Sequence, residues 1–164
     1  MNKRPILAIP KTRLEKILDV LSICLLAITF FHLFLIWNNL PEKVPMHFNA
    51  AGNVDGWGGK ISIWFLPILS LILFVMILIL SKFPQVFNFP VTITEENAPK
   101  LYLEARRMLV IVNFEIVLFF SIVSWQSVRN AFGVKGIGVW YLPLFIIILL
   151  GTIVVSLYRT FRIR

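Results

Sequence analysis

Four apolar runs, at residues 17–37, 61–80, 108–125 and 139–158, dominate this chain and restrict it to one solvent. The first alone makes about 31 Å of helix at about 1.5 Å per residue, which matches a hydrocarbon core of about 30 Å. With 59% hydrophobic and 15% charged residues among 164, the chain is too apolar for a water-soluble domain of this length. The expectation is an all-α integral membrane protein, a four-transmembrane-helix bundle in a single domain over residues 1–164. Each polar connection is too short to bury a core of its own.

The basic residues give an orientation. Lys3, Arg4, Lys11, Arg13 and Lys16 precede the first run, Lys82, Lys100, Arg106 and Arg107 lie between the second and third, and Arg159, Arg162 and Arg164 close the chain. These are twelve of the sixteen; only Lys43, Lys60, Arg129 and Lys135 fall on the other side. The positive-inside rule then predicts both termini and the loop 81–107 in the cytoplasm, with the loop 38–60 outside. Trp37, Trp57, Trp64, Trp125 and Trp140 all fall near the outer ends of runs, where an indole buries its ring and wets its N–H. Because the Lys and Arg residues flank apolar runs and form no stripe on a soluble face, the net charge of +8 is assigned to topology and no direct nucleic-acid binding is expected.

ISIWFLP at 61–67 aligns with IGVWYLP at 137–143. Two parallel two-helix repeats would give this match, and so would convergence, since an interfacial Trp and a first-turn Pro are each favoured there. With Pro67 and Pro143 at the first helical position, those helices should begin near residues 66 and 142. In the inner loop, residues 83–90 suit an extended segment along the interface. Thr94 or Asn97 can cap a helix, and the helical spacing of Lys100, Glu104 and Arg107 predicts that it runs unbroken into the third span.

The outer loop carries the most distinctive chemistry. Val44, Met46 and Phe48 alternate with Pro45, His47 and Asn49, so an extended piece should turn the first set onto the helix ends and the second toward water. Gly52 and the Asp55–Gly56 pair supply turns, and Trp57 anchors the return. A membrane hairpin turns in a few residues, yet this one uses over twenty, which marks His47, Asn49, Asp55 and Trp57 as candidate binding residues. One histidine in the loop and no repeated ligand spacing give no metal site, and no cofactor is expected. Cys24, the lone cysteine, is expected to be a small buried hydrophobe.

The pattern LPxxVPxHFNxxGxxDGWG at 40–58, followed by an apolar span, resembles the bacterial membrane domain of unknown function in the N-terminal part of SdpI-type immunity proteins. PVTITEENA at 90–98 and ARRML at 105–109 are similar to stand-alone members of that group, and with four spans the chain is read as one of them. The resemblance implies a multi-pass protein of a bacterial cytoplasmic membrane. Its partners would be a secreted peptide outside and a transcriptional repressor held at the membrane inside.

Glu115 and Asn113 lie within the third run, where an ionisable group must face a partner or water. At 100° per residue Glu104, Ile111, Glu115 and Ile122 share one side of the helix, and Arg106, Asn113 and Ser124 share the opposite side, which predicts a central helix or a contact between copies in a homo-oligomer. Glu115 is read either as a carboxyl hydrogen-bonded between helices or as a proton- or ligand-binding group. No serine or cysteine has a base beside it in sequence. The expectation is therefore a non-enzymatic membrane protein that recognises an extracytoplasmic factor through the 40–60 loop, with a small oligomeric proton-coupled transporter or channel using Glu115 as the alternative.

Overall fold

The computed structural model describes residues 4–134, 136 and 138–163; Lys3, Lys135, Ile137 and Arg164, used in the sequence reading, lie outside the described residues. The chain runs through helix α1 (Arg13–Ile36), a hairpin of strands β1 (Lys43–Phe48) and β2 (Val54–Gly59), and helices α2 (Phe65–Leu80), α3 (Ala98–Ala131) and α4 (Tyr141–Phe161). One-turn 3-10 segments at Trp37–Asn39 and Lys60–Trp64 lead into and out of the hairpin. Four helical stretches are long and apolar enough to cross a membrane.

The third helix is a 34-residue element, about 51 Å at about 1.5 Å per residue. It continues without a break from its charged first turns into the apolar run, as the spacing of Lys100, Glu104 and Arg107 predicts. The turn that leads into it is held by a reciprocal pair: the Thr94 hydroxyl accepts from the Asn97 backbone N–H, while the Asn97 side chain accepts from the Thr94 N–H. The closest helix packing runs through α3, which meets α1, α2 and α4. Three apolar clusters lie along it, each containing an α3 residue. Leu101 and Tyr102 anchor one at the termini end, Val117 the middle one, and Val128 one beneath the hairpin.

Facing residues follow helical spacing. In α1 Glu15, Ser22, Leu26 and Leu33 are buried, and in α2 Pro67, Ser70, Phe74 and Ile77. Cys24 falls off the α1 stripe and is exposed, contrary to expectation. A hydrocarbon surround makes the outer face of a span as hospitable to a small hydrophobe as the core, so apolar character does not imply burial here. In α4 only Ser156 and Thr160 are buried, small polar side chains of the kind that let membrane helices approach.

Two helix starts differ from expectation in register. Pro67 and Pro143 occupy the third helical position, because Phe65 and Tyr141 open the helices behind Trp64 and Trp140. A missing N–H is still harmless there, since the first turn has no intrahelical acceptors. At the opposite end, residues 83–90 form more than an extended interfacial strip. A 3-10 turn at Pro84–Val86 brings Phe89 to 5.8 Å from the ring of Tyr102. Leu7, Ile9, Val91 and Ile93 close the same cluster, so the N-terminal segment and the 81–97 loop fold together against the base of α3.

Candidate functional site

The hairpin between α1 and α2 is a folded element. Strands β1 and β2 pair antiparallel, with Lys43 opposite Gly59 and Pro45 opposite Trp57, and then slip at bulges so that His47 faces Gly56 and Phe48 faces Val54. The bulges break the alternation that the sequence predicts. Val44 and Pro45 are both buried, and Met46 is 47% exposed instead of lying under the strand. Gly56 and Gly58 make room for the strand above, since a Cβ at either would stand within 3.0 Å of the His47 or Met46 side chain.

His47 and Asn49 face outward, as expected, but both are already engaged. His47 Nδ1 hydrogen-bonds to the Asp55 carboxylate across the hairpin. The Asn49 side-chain oxygen accepts from the backbone N–H groups of Ala51 (3.0 Å) and Asn53 (3.1 Å), which holds the tip. Gly52, at φ 75°, completes the tip and lies so close to the Gly138 carbonyl that a Cβ would come within 2.9 Å of it. The tip therefore packs backbone to backbone on the α3–α4 connection. Trp57 is exposed on β2, whereas Trp37 and Trp64 meet at 5.9 Å beneath the hairpin, with Lys60 over the Trp37 ring.

Between the tip and the ends of α3 and α4 lies a cavity of about 260 Å³. Its walls are Phe48 from the hairpin, Leu66 from α2, Phe119 and Val123 from α3, and Leu142 from α4, with His47 and Asn49 at the rim. Gln126 of α3 projects among these residues. It is 6% exposed, and neither its Nε2 nor its Oε1 has a hydrogen-bond partner among the described residues. The cavity floor is aromatic: Phe119 stacks on Tyr141 at 5.1 Å and on Phe145 at 4.0 Å, and the Tyr141 hydroxyl donates to the Phe119 carbonyl.

Residues 24–71 match DUF1648, a domain of unknown function. The matched stretch contains the whole hairpin with His47, Asn49, Asp55 and Trp57, and it stops before α3. A second resemblance is to an uncharacterized protein of Archaeoglobus fulgidus, 32% identical over 122 residues, covering 70% of this chain and 66% of that relative's length. No solved structure matches.

The intramembrane polar residues belong to a different part of the bundle. The Asn113 amide donates to the Phe74 carbonyl of α2 at 3.2 Å. Glu115, on the other side of α3, accepts from the Thr152 hydroxyl of α4 at 2.6 Å, while its second oxygen is buried without a partner among the described residues. About three turns away Glu104 accepts from Ser156 and pairs with Arg107, beside a cavity of about 350 Å³ between α3 and α4. The two sides of α3 carry the residues that the helical angle assigned to them.

Local sequence pattern gives little sign of two buried polar side chains, Arg106 and Gln126. Arg106 donates to Glu15 through Nε (2.7 Å) and Nη2 (3.2 Å), and to the carbonyls of Ile9 (2.6 Å) and Pro10 (2.9 Å). Glu15 also closes a capping box with Thr12 at the start of α1. These partners lie 91 residues apart, beyond any local pattern. Gln126 has one weak signal, an amide with Ser124 and Ser127 in the last turns of an apolar helix. Among the described residues no three His, Cys, Asp or Glu side chains converge as a metal-binding group.

Proposed function

We propose that this chain is a non-enzymatic multi-pass protein of a bacterial cytoplasmic membrane that recognises an extracytoplasmic factor at its hairpin end. The observation that carries the reading is the hairpin itself. A connection that needed only to turn is instead a paired, bulged strand unit, fixed at its tip by Asn49 and glycine contacts and standing over a cavity. The orientation rests on the twelve basic residues assigned inside and on the five tryptophans, which all belong to elements at the hairpin end. The shared sequence at 61–67 and 137–143, with Trp64 and Trp140 both as αR N-caps and Pro67 and Pro143 both at the third helical position, supports two parallel repeats, although α2 is entered through a 3-10 helix and α4 through a turn.

By its resemblance to SdpI-type immunity proteins, the partners to seek are a secreted peptide outside and a transcriptional repressor inside. A pull-down of tagged protein from its own membranes tests this. Capture should weaken when His47, Asp55 and Trp57 are replaced by alanine, and undiminished capture by that folded triple variant would defeat the reading. For orientation, cysteines at Asn53 and Glu96, both exposed, are introduced into a Cys24→Ala background and treated with an impermeant thiol reagent. Asn53→Cys should label from outside intact cells and Glu96→Cys should not.

The second reading, a small oligomeric proton-coupled transporter, is favoured by one observation: the unpartnered Glu115 oxygen beside a chain of polar groups, Thr152, Ser156 and Glu104, that leads to the termini end. Proton or solute flux in liposomes that disappears in Glu115→Gln would support it over recognition alone.

A further inference from the structure

We propose that the cavity beneath the hairpin is a binding site for a small ring molecule bearing a primary amide or lactam, with Gln126 pairing to that group. The inference rests on the reading of the hairpin end as the recognition surface and names the chemistry it accepts.

The argument begins with Gln126. It is more than nine-tenths buried, its side chain lines the cavity, and both polar atoms of its amide lack partners among the described residues. A leucine would fill the same space without stranding a buried donor and acceptor. The other polar groups nearby are engaged: Tyr141 donates to the Phe119 carbonyl, His47 is paired with Asp55, and the Asn49 oxygen holds the tip. Gly136 keeps the space beside the amide open, because a Cβ there would lie 3.1 Å from Gln126 Nε2. What remains is an NH2 donor group and a carbonyl acceptor, side by side, in an apolar chamber.

A carboxamide presents its N–H and C=O in the same direction, so it forms a cyclic pair of hydrogen bonds with a group that offers the complementary edge. Primary amides and lactams do so; an extended peptide bond, whose N–H and C=O point apart, does not. The size of the chamber limits the rest of the ligand. A cavity of about 150 Å³ accommodates benzene, so 260 Å³ holds one ring and its polar substituent. Phe48, Phe119 and Leu142 provide the apolar contacts for such a ring.

The test uses the full chain in lipid nanodiscs and two fluorinated probes of nearly the same shape, 4-fluorobenzamide and 4-fluoroacetophenone, followed by fluorine NMR titration. The ketone replaces the NH2 donor with a methyl group. Wild-type protein should prefer the amide by roughly tenfold, and Gln126→Leu should abolish that preference while retaining its melting temperature. Gln126→Asn, which withdraws the amide by one methylene, should give an intermediate preference and guards against a folding defect in the leucine variant. Equal binding of the two probes, or an amide preference that survives in Gln126→Leu, would overturn the site and leave ordered water as the partner of Gln126. A Gln126-dependent amide preference, with partner capture unaffected by the hairpin substitutions, would keep the site and discard the recognition reading. Hairpin-dependent capture without the amide preference would do the reverse.

Discussion

Arg106 at the termini end and Gln126 at the hairpin end are both buried polar side chains on the same helix, and their surroundings are opposite. All three guanidinium nitrogens of Arg106 are bonded, to a carboxylate and to two carbonyls of the segment that precedes α1. The Gln126 amide has no bond at all among the described residues. A fully satisfied buried network holds one conformation and contributes to assembly, whereas an unsatisfied group in a cavity is stable only as long as something else meets it. The termini end is thus built as an anchor and the hairpin end as a receptacle.

The sharpest way to break that contrast is at the anchor. Arg106→Leu strands Glu15 in a buried site and should destabilise the protein by about 3–5 kcal/mol, read as a large fall in melting temperature in detergent. Adding Glu15→Gln should recover part of the loss, because the uncompensated charge is removed. A double variant as unstable as the single one would mean that the carbonyl contacts to Ile9 and Pro10, and not the ion pair, hold the end together.

Asn49→Ala comes next. It removes two side-chain-to-backbone hydrogen bonds at an exposed tip and should cost about 1–2 kcal/mol locally, seen as faster hydrogen exchange at the Ala51 and Asn53 amides with global melting nearly unchanged. Unaltered exchange would release Asn49 from its role in the turn and return it to the recognition surface.

Within the membrane the effects should be smaller still. Thr152→Val removes the donor to Glu115, and interhelical hydrogen bonds of this kind average about 0.6 kcal/mol. Glu115→Gln retains an acceptor for Thr152 and should leave the fold intact. A strongly destabilised Glu115→Gln, with Glu115→Asp tolerated, would show that the carboxylate charge itself is required. An effect no larger is expected at the rim, where Asp55→Asn weakens an exposed pair with His47 and should change stability by about 0.5 kcal/mol or less.

The contrast between the ends also explains what could be read from the chain beforehand. The four spans were legible because a bilayer demands about 20 consecutive apolar residues and little else satisfies that demand. The unbroken α3 was legible from charges at helical spacing, and so were the two faces that carry Glu115 and Asn113. The strand alternation in residues 44–48 misled at Pro45 and Met46, because the register slips between Pro45 and His47 and again between His47 and Phe48, and period-two spacing carries no mark of a bulge. Arg106 could be placed on a face of α3, but its partner Glu15 lies on α1 and only the assembled bundle brings them together. Gln126 gave the least warning of all, since what distinguishes it is the absence of partners among the described residues, a property of its surroundings and not of its residue type.

The length of α3 has a mechanical consequence. An uninterrupted rod of about 51 Å does not absorb a rotation along its course, so a tilt of about 5° at one end moves the other by about 4 Å. Gln126 and Arg106 are mounted on this rod on opposite sides of its midpoint. Any ligand that levers the helix at the hairpin must therefore shift the socket in which the N-terminal segment is seated, and the lipid-buried span between them acts as the beam of a balance.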